Sequence, residues 1–347
     1  MNIDLWLVYR QMLRSRLFEE AVMALWERGL ISGEMHLGTG EEAIMAGVVL
    51  QVQDGDALAL DHRGTAALLM RGVDPVRLLR EFLGQPEGLC RGMGGHMHLF
   101  APEFLAASSG IVGSSGPAAA GFALASQYLR AGRVAVAFFG EGATNQGMLL
   151  ESLNLAVAWQ LPVLFVCKDN QWEITTPGTS VTGGILTERA RGFGMPAVDV
   201  DGRDVEAVWA AAGDAIRRAR QGEGPTFLHA SCVHLQGHFL GDQLLRIASN
   251  PLRELDSTTV PMIKAFLRRR GAPVNERLRS VSRIMATISQ APTLRSIQDR
   301  DPLVFARLKL VSAPARLEQM EDEISTEIQS YVETALSPVP GEESSKV

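Results

Sequence analysis

The stretch AFFGEGATNQG, residues 137–147, places one acidic residue between two glycines directly after an apolar run. The run 134–139 predicts a buried strand, and the apolar spacing over 146–159 predicts an amphipathic helix. A second apolar run, 161–167, predicts the next strand. This order of strand, helix and strand, with continuously apolar strands, predicts an α/β fold whose mostly parallel central sheet has helices on both faces.

Further elements are predicted on both sides of this unit. We expect helices over 5–28 and 204–220, a helix that Asp74 caps ahead of Pro75, and strands over 56–61 and 226–233. The glycine- and serine-rich segments that cover much of 88–121 are predicted to be long loops. Their length suggests that they serve a function, because long loops in a compact fold are usually functional or disordered.

The pattern divides the chain into four parts. Residues 1–246 are predicted to form one α/β domain that includes the N-terminal helices, and residues 300–337 to add C-terminal helices to it. The polar, arginine-rich stretch 247–299 is predicted to be an insertion that serves as a lid, as a docking element or as a disordered segment. Residues 338–347 are predicted to be a disordered tail.

Composition excludes several classes of protein. The formal net charge of -6 argues against a general nucleic-acid-binding protein. No apolar run without charges is long enough to span a membrane, so no membrane association is expected. The three cysteines have neither metal-pair spacing nor a disulfide framework, and the N-terminus lacks the pattern of a signal peptide, so a cytoplasmic location is expected.

The acid at the end of the first strand has two uses. A carboxylate at position 141 can hold a hard cation such as Mg²⁺, and the N–H groups of Gly142 and Ala143 can point at an anion. Asn170 follows the next strand and offers an amide oxygen near the same edge of the sheet. Glycines around an acid often form only a turn, and an asparagine after a strand often only a cap, but the pair together indicates a site for a cation and a phosphate.

These residues carry a resemblance to a known family. The segment 138–172 closely resembles the alpha subunit of the thiamine-diphosphate-dependent 2-oxo acid dehydrogenases, their decarboxylating first component. Four other segments are similar to that family and occur in its order: DHRGTAALLMRGVD, GLCRGMGGHMHLF, SSGIVGSSGPAAAGFALA and LQGHFLGD. Within the family, the segment that begins with His62 and Arg63 is more similar to acetoin dehydrogenases. The resemblance implies the thiamine-diphosphate-binding fold, with this cofactor and Mg²⁺.

The resemblance also implies roles for individual residues. It places the metal on Glu141, the Asn170 amide and the Trp172 carbonyl, and Asn170 also belongs to the implied cofactor site. It places the diphosphate near His62, Arg63 and His238 and the N–H groups of Gly142 and Ala143, and the aminopyrimidine against backbone groups of Gly110 and Val112. His238 is the implied catalytic acid–base residue.

Three features depart from the family pattern. Glu141 stands where the family usually has aspartate, Thr65 where it often has a histidine, and the stretch 247–299 is extra. The longer Glu141 side chain puts the position of the metal in doubt, because Mg²⁺ requires near-ideal geometry. No catalytic role is assigned to the other polar candidates: His96 and His98 are expected at the cavity entrance or in packing, and His229, Cys90 and Cys167 in structural positions.

The resemblance predicts an enzyme subunit that acts with partners. We expect an alpha subunit that is active only with a beta subunit, in an assembly of two alpha and two beta chains. It would cleave a carbon–carbon bond next to a carbonyl in a small molecule, acetoin or a short 2-oxo acid, and pass the acyl group to a lipoyl-bearing acyltransferase. Two alternatives stay open at this point. One is a thiamine-dependent subunit of a biosynthetic enzyme without a lipoyl acceptor, and the other is a non-catalytic interaction protein on the same fold.

Overall fold

A seven-stranded sheet forms the centre of the computed structural model, which describes residues 3–174, 176–241, 273, 275–280, 282 and 299–338. Two short strands, β6 (Trp172–Glu173) and β7 (Thr176–Pro177), form a separate sheet. The strands of the central sheet are β1 (Ala57–Leu60), β2 (Phe100–Ala101), β3 (Ala106–Ser108), β4 (Ala135–Gly140), β5 (Val163–Asp169), β8 (Ala197–Asp201) and β9 (Thr226–Ser231). They lie in the order β2-β3-β1-β4-β5-β9-β8, and each neighbouring pair is parallel except β2 with β3. The predicted fold class, a mostly parallel sheet within an α/β domain, is confirmed.

Helices cover both faces of this sheet. They are α1 (Leu5–Glu27), α2 (Glu42–Val49), α3 (Thr65–Arg71), α4 (Pro75–Phe82), α5 (Ser115–Leu129), α6 (Gly147–Ala158), α7 (Leu186–Gly192), α8 (Val205–Arg220), α9 (Pro302–Leu308) and α10 (Pro314–Leu336). Side chains of a strand alternate between the two faces. In β4, Val136 and Phe138 accordingly belong to one buried cluster, while Ala137 and Phe139 belong to the other. The uninterrupted apolar pattern of this strand therefore reflects burial on both faces.

The local signals in the sequence set most element boundaries. Asp74 caps α4 by accepting a hydrogen bond from the Val76 N–H, with Pro75 in the first turn. Asp301 and Pro302 begin α9 in the same way, and the Asp301 carboxylate accepts from the Leu303 N–H. The predicted helices over 5–28 and 204–220 and strands over 56–61 and 226–233 are present as α1, α8, β1 and β9.

The glycine- and serine-rich region is more structured than the sequence predicted. It contains β2 and β3, and α5 begins at Ser115, inside the segment that was expected to be loop. Small residues hid this helix, because alanine, glycine and serine at successive positions leave no periodic contrast between apolar and polar faces. Tight packing explains the composition: a Cβ on Gly116 would lie 2.6 Å from Leu149 of α6.

The C-terminal helices pack against the N-terminal helix α1. The carboxylate of Glu327 in α10 accepts a hydrogen bond of 2.7 Å from Arg14 in α1, and Asp301 pairs with Arg16 at 3.0 Å. Most of the predicted insertion 247–299 and of the predicted tail 338–347 lies outside the described residues, so neither prediction is tested. None of the helices in the described part of the chain combines the length and the apolar composition that crossing a bilayer requires.

Candidate active site

The carboxyl ends of five strands surround one cavity of about 400 Å³ at an edge of the sheet. Parallel strands bring their carboxyl ends to the same edge, which is where ligands bind in such folds. All the residues for which the sequence predicted a role line this cavity: His62, Arg63, Gly110, Val112, Glu141, Gly142, Ala143, Asn170, Trp172 and His238. Segments that are up to 176 positions apart in the chain therefore meet at one place, although the role of each residue stays a prediction.

Glu141 lies at the start of the short 3₁₀ turn Glu141–Asn145 that follows β4. Glu141 is only 4 % exposed, and its Oε1 has no hydrogen-bond partner among the described residues. Burial raises the pKa of this carboxyl group to about 8, and the carboxylates of Asp169 and Glu173 act in the same direction. A buried carboxylate oxygen without a partner is costly, and a bound cation is one way to satisfy it.

Asn170 and Trp172 form a turn beside this carboxylate. The Asn170 Oδ1 accepts a hydrogen bond of 3.2 Å from the Trp172 N–H, and its Nδ2 lies 2.8 Å from Nδ1 of His234. An amide oxygen has two lone pairs, so this turn leaves one for another donor or a cation. Trp172 and Glu173 form the short strand β6, which pairs with β7 (Thr176–Pro177) and continues the wall of the cavity.

A buried ion network that the sequence did not predict also lines the cavity. The Lys168 ammonium is 2.6 Å from Glu41 and 2.9 Å from Asp61, and Glu41 also lies 2.8 Å from Nε2 of His234. Burial alone would lower the pKa of Lys168, but the two carboxylates raise it, so the lysine stays charged. The lysine inside the apolar strand β5 could have indicated this network, because a lysine is almost never fully buried unless it is paired with an acid.

Histidines form one wall of the cavity and the layer behind it. His62 and His238 line the cavity, and the His36 ring packs against both, with centroid distances of 4.8 Å and 5.3 Å. His96 stacks on His36, with Nε2 at 3.1 Å from the His36 Nδ1. Burial and the charge of Arg63 lower the pKa of His238 to about 3, so its imidazole is neutral at pH 7.

Arg63 holds this wall together. The guanidinium donates to the carbonyl oxygens of Leu37 and His238, the second at 2.7 Å, while the residue is only 2 % exposed. Arg63 therefore fixes the backbone at His238, and it also places a positive charge at the cavity. An arginine in this position suits a phosphate, because its planar fork matches phosphate oxygens.

The glycine-rich loop 88–98 is organised by a residue that the sequence analysis did not single out. The buried carboxylate of Glu81 in α4 accepts four backbone N–H hydrogen bonds, from Cys90, Gly92, Gly94 and Gly95, at 2.6 to 3.2 Å. A Cβ on Gly94 would lie 2.1 Å from the His98 carbonyl oxygen, so the loop needs a glycine there. Glu81 thus determines where the loop carries His96.

The remaining polar candidates lie away from the lining of the cavity. His229 is held between Asp169 and Asp199 at 2.8 Å and 2.9 Å, and the hydrogen bond with Asp169 raises its pKa despite partial burial. His98 is exposed, and Cys167 is buried in β5.

Comparisons with known proteins give concordant matches. The sequence profile described as "Dehydrogenase E1 component" matches residues 10–291. The alpha subunit of acetoin:2,6-dichlorophenolindophenol oxidoreductase from Cupriavidus necator is 40% identical over 288 residues, which are 81% of this chain and 86% of that protein. Its counterpart from Bacillus subtilis is 40% identical over 69% of this chain and 72% of that protein. The alpha subunit of the pyruvate dehydrogenase E1 component from Rhizobium meliloti is 34% identical over 79% and 80%.

Proposed function

The chain belongs to the family of dehydrogenase E1 components, and we propose that it is the alpha subunit of a thiamine-diphosphate-dependent dehydrogenase acting on acetoin or a short 2-oxo acid. One observation carries this proposal: the residues that the family resemblance assigns to the cofactor and its metal all line one cavity at the carboxyl edge of the sheet. Relatives named for acetoin and for pyruvate support both substrate classes, and those named for acetoin reach the higher identity.

The residues of the cavity fit this cofactor and a divalent cation. Glu141 offers a buried carboxylate oxygen that has no partner within the described part of the chain. Arg63 lines the same cavity as Gly142 and Ala143, whose backbone N–H groups could hold a diphosphate. Gly110 also lines the cavity and allows close access to backbone groups, as the aminopyrimidine requires. We therefore propose Mg²⁺ on Glu141, Asn170 and the Trp172 carbonyl.

The reaction divides between the cofactor and the protein. When bound, thiamine diphosphate supplies the electron sink for breaking a carbon–carbon bond next to a carbonyl. The protein binds the diphosphate, excludes water and moves protons. We assign His238 as the acid–base residue, because its neutral imidazole lines the cavity and its backbone is fixed by Arg63. Because the ring is neutral at pH 7, it would have to accept a proton before it could donate one.

A partner subunit completes the site in this proposal. Four apolar residues that line the cavity are more than half exposed: Ile111, Val112, Ile174 and Val181. Exposed apolar groups clustered at a cavity mark a surface that a ligand or another chain covers. The relatives are named as alpha subunits, so we propose a beta subunit here, in an assembly of two alpha and two beta chains. We also propose a lipoyl-bearing acyltransferase as the acceptor of the acyl group, and a cytoplasmic location, which suits three free cysteines.

Turnover by the complete complex tests this proposal. The chain would be co-expressed with its beta partner and assayed for reduction of 2,6-dichlorophenolindophenol with acetoin, pyruvate and branched-chain 2-oxo acids. We expect turnover that requires thiamine diphosphate and both subunits and that Glu141→Ala abolishes. Full turnover by this chain without a partner would contradict the need for a beta subunit. A complex that binds no thiamine diphosphate would favour the non-catalytic alternative.

A further inference from the structure

Glu173 brings a second carboxylate to the wall of the cavity. It follows Trp172 in β6, and its side chain lies across Gly142, since a Cβ on Gly142 would come within 2.7 Å of the Glu173 Cδ. Its Oε1 is buried and, like the Oε1 of Glu141, has no hydrogen-bond partner among the described residues. Both carboxylates line the same cavity.

No basic side chain neutralises this pair in the part of the chain that the structure describes. Lys168 lines the cavity too, but its ammonium is already bound by Glu41 and Asp61. Arg63 donates to two carbonyl oxygens on the histidine wall. Two buried carboxylate oxygens without a cation or a donor are unfavourable, because burial removes the water that would otherwise solvate their charge.

The Glu173 carboxylate lies where its negative charge would oppose binding of the diphosphate. Its carboxylate covers Gly142, whose N–H group belongs to the wall proposed to hold the diphosphate. An anion approaching Gly142 would be repelled by a bare carboxylate at that point. A divalent cation placed against both carboxylates removes the repulsion, and two carboxylates with phosphate oxygens and water form a usual ligand set for Mg²⁺.

We propose that Glu173 supplies a second carboxylate to the divalent cation held by Glu141, which makes the site more anionic than one that contains a single acid. This inference rests on the proposed function, because it takes the cavity to be the cofactor site. The glycine at position 142 then has two roles. It allows close approach to a phosphate, and it leaves the space that the Glu173 side chain occupies.

Binding of Mn²⁺ tests the role of Glu173 without relying on turnover. The co-purified complex with the beta partner would be titrated with Mn²⁺ in the presence of thiamine diphosphate, and free Mn²⁺ measured by electron paramagnetic resonance. We expect Glu173→Gln to raise the Kd for Mn²⁺ about tenfold, and Glu141→Gln to raise it at least as much. Glu173→Asp, which keeps the charge, should weaken binding less than Glu173→Gln.

Two comparisons separate the possible outcomes. Glu151→Gln is the matched control, because Glu151 is exposed on α6 and does not line the cavity. Unchanged or tighter Mn²⁺ binding in a folded Glu173→Gln complex would overturn the inference and leave the proposed function standing. A wild-type complex that binds neither Mn²⁺ nor thiamine diphosphate would instead overturn the proposed function. Thermal unfolding of each variant confirms that it is folded.

Discussion

Replacing Glu81 by glutamine should release the glycine-rich loop while leaving the sheet intact. Each oxygen of the Glu81 carboxylate accepts two backbone N–H hydrogen bonds, Oε2 from Cys90 and Gly92 and Oε1 from Gly94 and Gly95. Glutamine has one oxygen and one NH₂ group at these positions. In either orientation of the amide, two of the four N–H groups lose their acceptor and face another donor.

The size of this effect follows from the kind of hydrogen bond that is lost. Hydrogen bonds to a charged acceptor contribute about 1.5–3 kcal/mol each, so losing two costs ~3 kcal/mol or more. The cost falls on the loop, because the four donors all belong to it. A cost of ~3 kcal/mol corresponds to roughly a hundredfold increase in the population of the opened loop.

Limited proteolysis measures this opening directly. Arg91 lies in the loop and is exposed, so the rate of tryptic cleavage after Arg91, followed by mass spectrometry, reports on loop opening. We expect Glu81→Gln to raise this rate roughly a hundredfold, in proportion to the opened population. Glu87→Gln in the same region is the matched control, because no contact of the Glu87 side chain is part of the loop anchor. A rate within about twofold of wild type for Glu81→Gln would refute the assignment of Glu81 as the anchor.

Two further substitutions test other parts of the account. Burial raises the pKa of Glu19 from 4.5 to about 8. Above pH 4.5 the unfolded chain therefore releases a proton that the folded chain keeps. The free energy of unfolding falls as a result by ~1.4 kcal/mol per pH unit up to pH 8. Glu19→Gln should therefore gain stability relative to wild type between pH 5 and pH 8 in urea unfolding, and a difference that is constant with pH would contradict this. Gly40→Ala should lower the melting temperature far more than Gly33→Ala. Both glycines have positive φ, but only a Cβ at position 40 would meet a backbone atom, the Val233 carbonyl oxygen at 1.9 Å. Equal losses would show that backbone strain alone decides.

The sequence predicted the residues at the strand ends better than the buried side chains that hold them in place. The apolar runs of β4 and β5 and the polar residues after them placed Glu141 and Asn170 at one edge, because parallel strands end on the same side. The family resemblance supplied Arg63 and His238, which no local pattern would have joined to that edge. The positions of Glu141 and Asn170 follow from hydrophobic periodicity and the order of the elements, which a single sequence contains.

The residues that were missed act through tertiary contacts. Glu41 and Lys168 are 127 positions apart and meet only when the sheet forms, and Glu81 anchors a loop that follows it in the chain. The sequence did not single out Glu173, because a single acid after a strand predicts a turn as readily as a metal ligand. In each case the sequence shows the residue type but does not show which residues it contacts in the folded chain.

Anomalous scattering from bound manganese tests the central claim most directly. A crystal of this chain with its beta partner, thiamine diphosphate and Mn²⁺ would be measured at the manganese absorption edge. We expect one strong peak per alpha chain within about 2.5 Å of a Glu141 carboxylate oxygen and of an oxygen from the turn at Asn170, with the diphosphate against Gly142. A manganese peak and a diphosphate bound together elsewhere, with Glu141 facing neither, would contradict it.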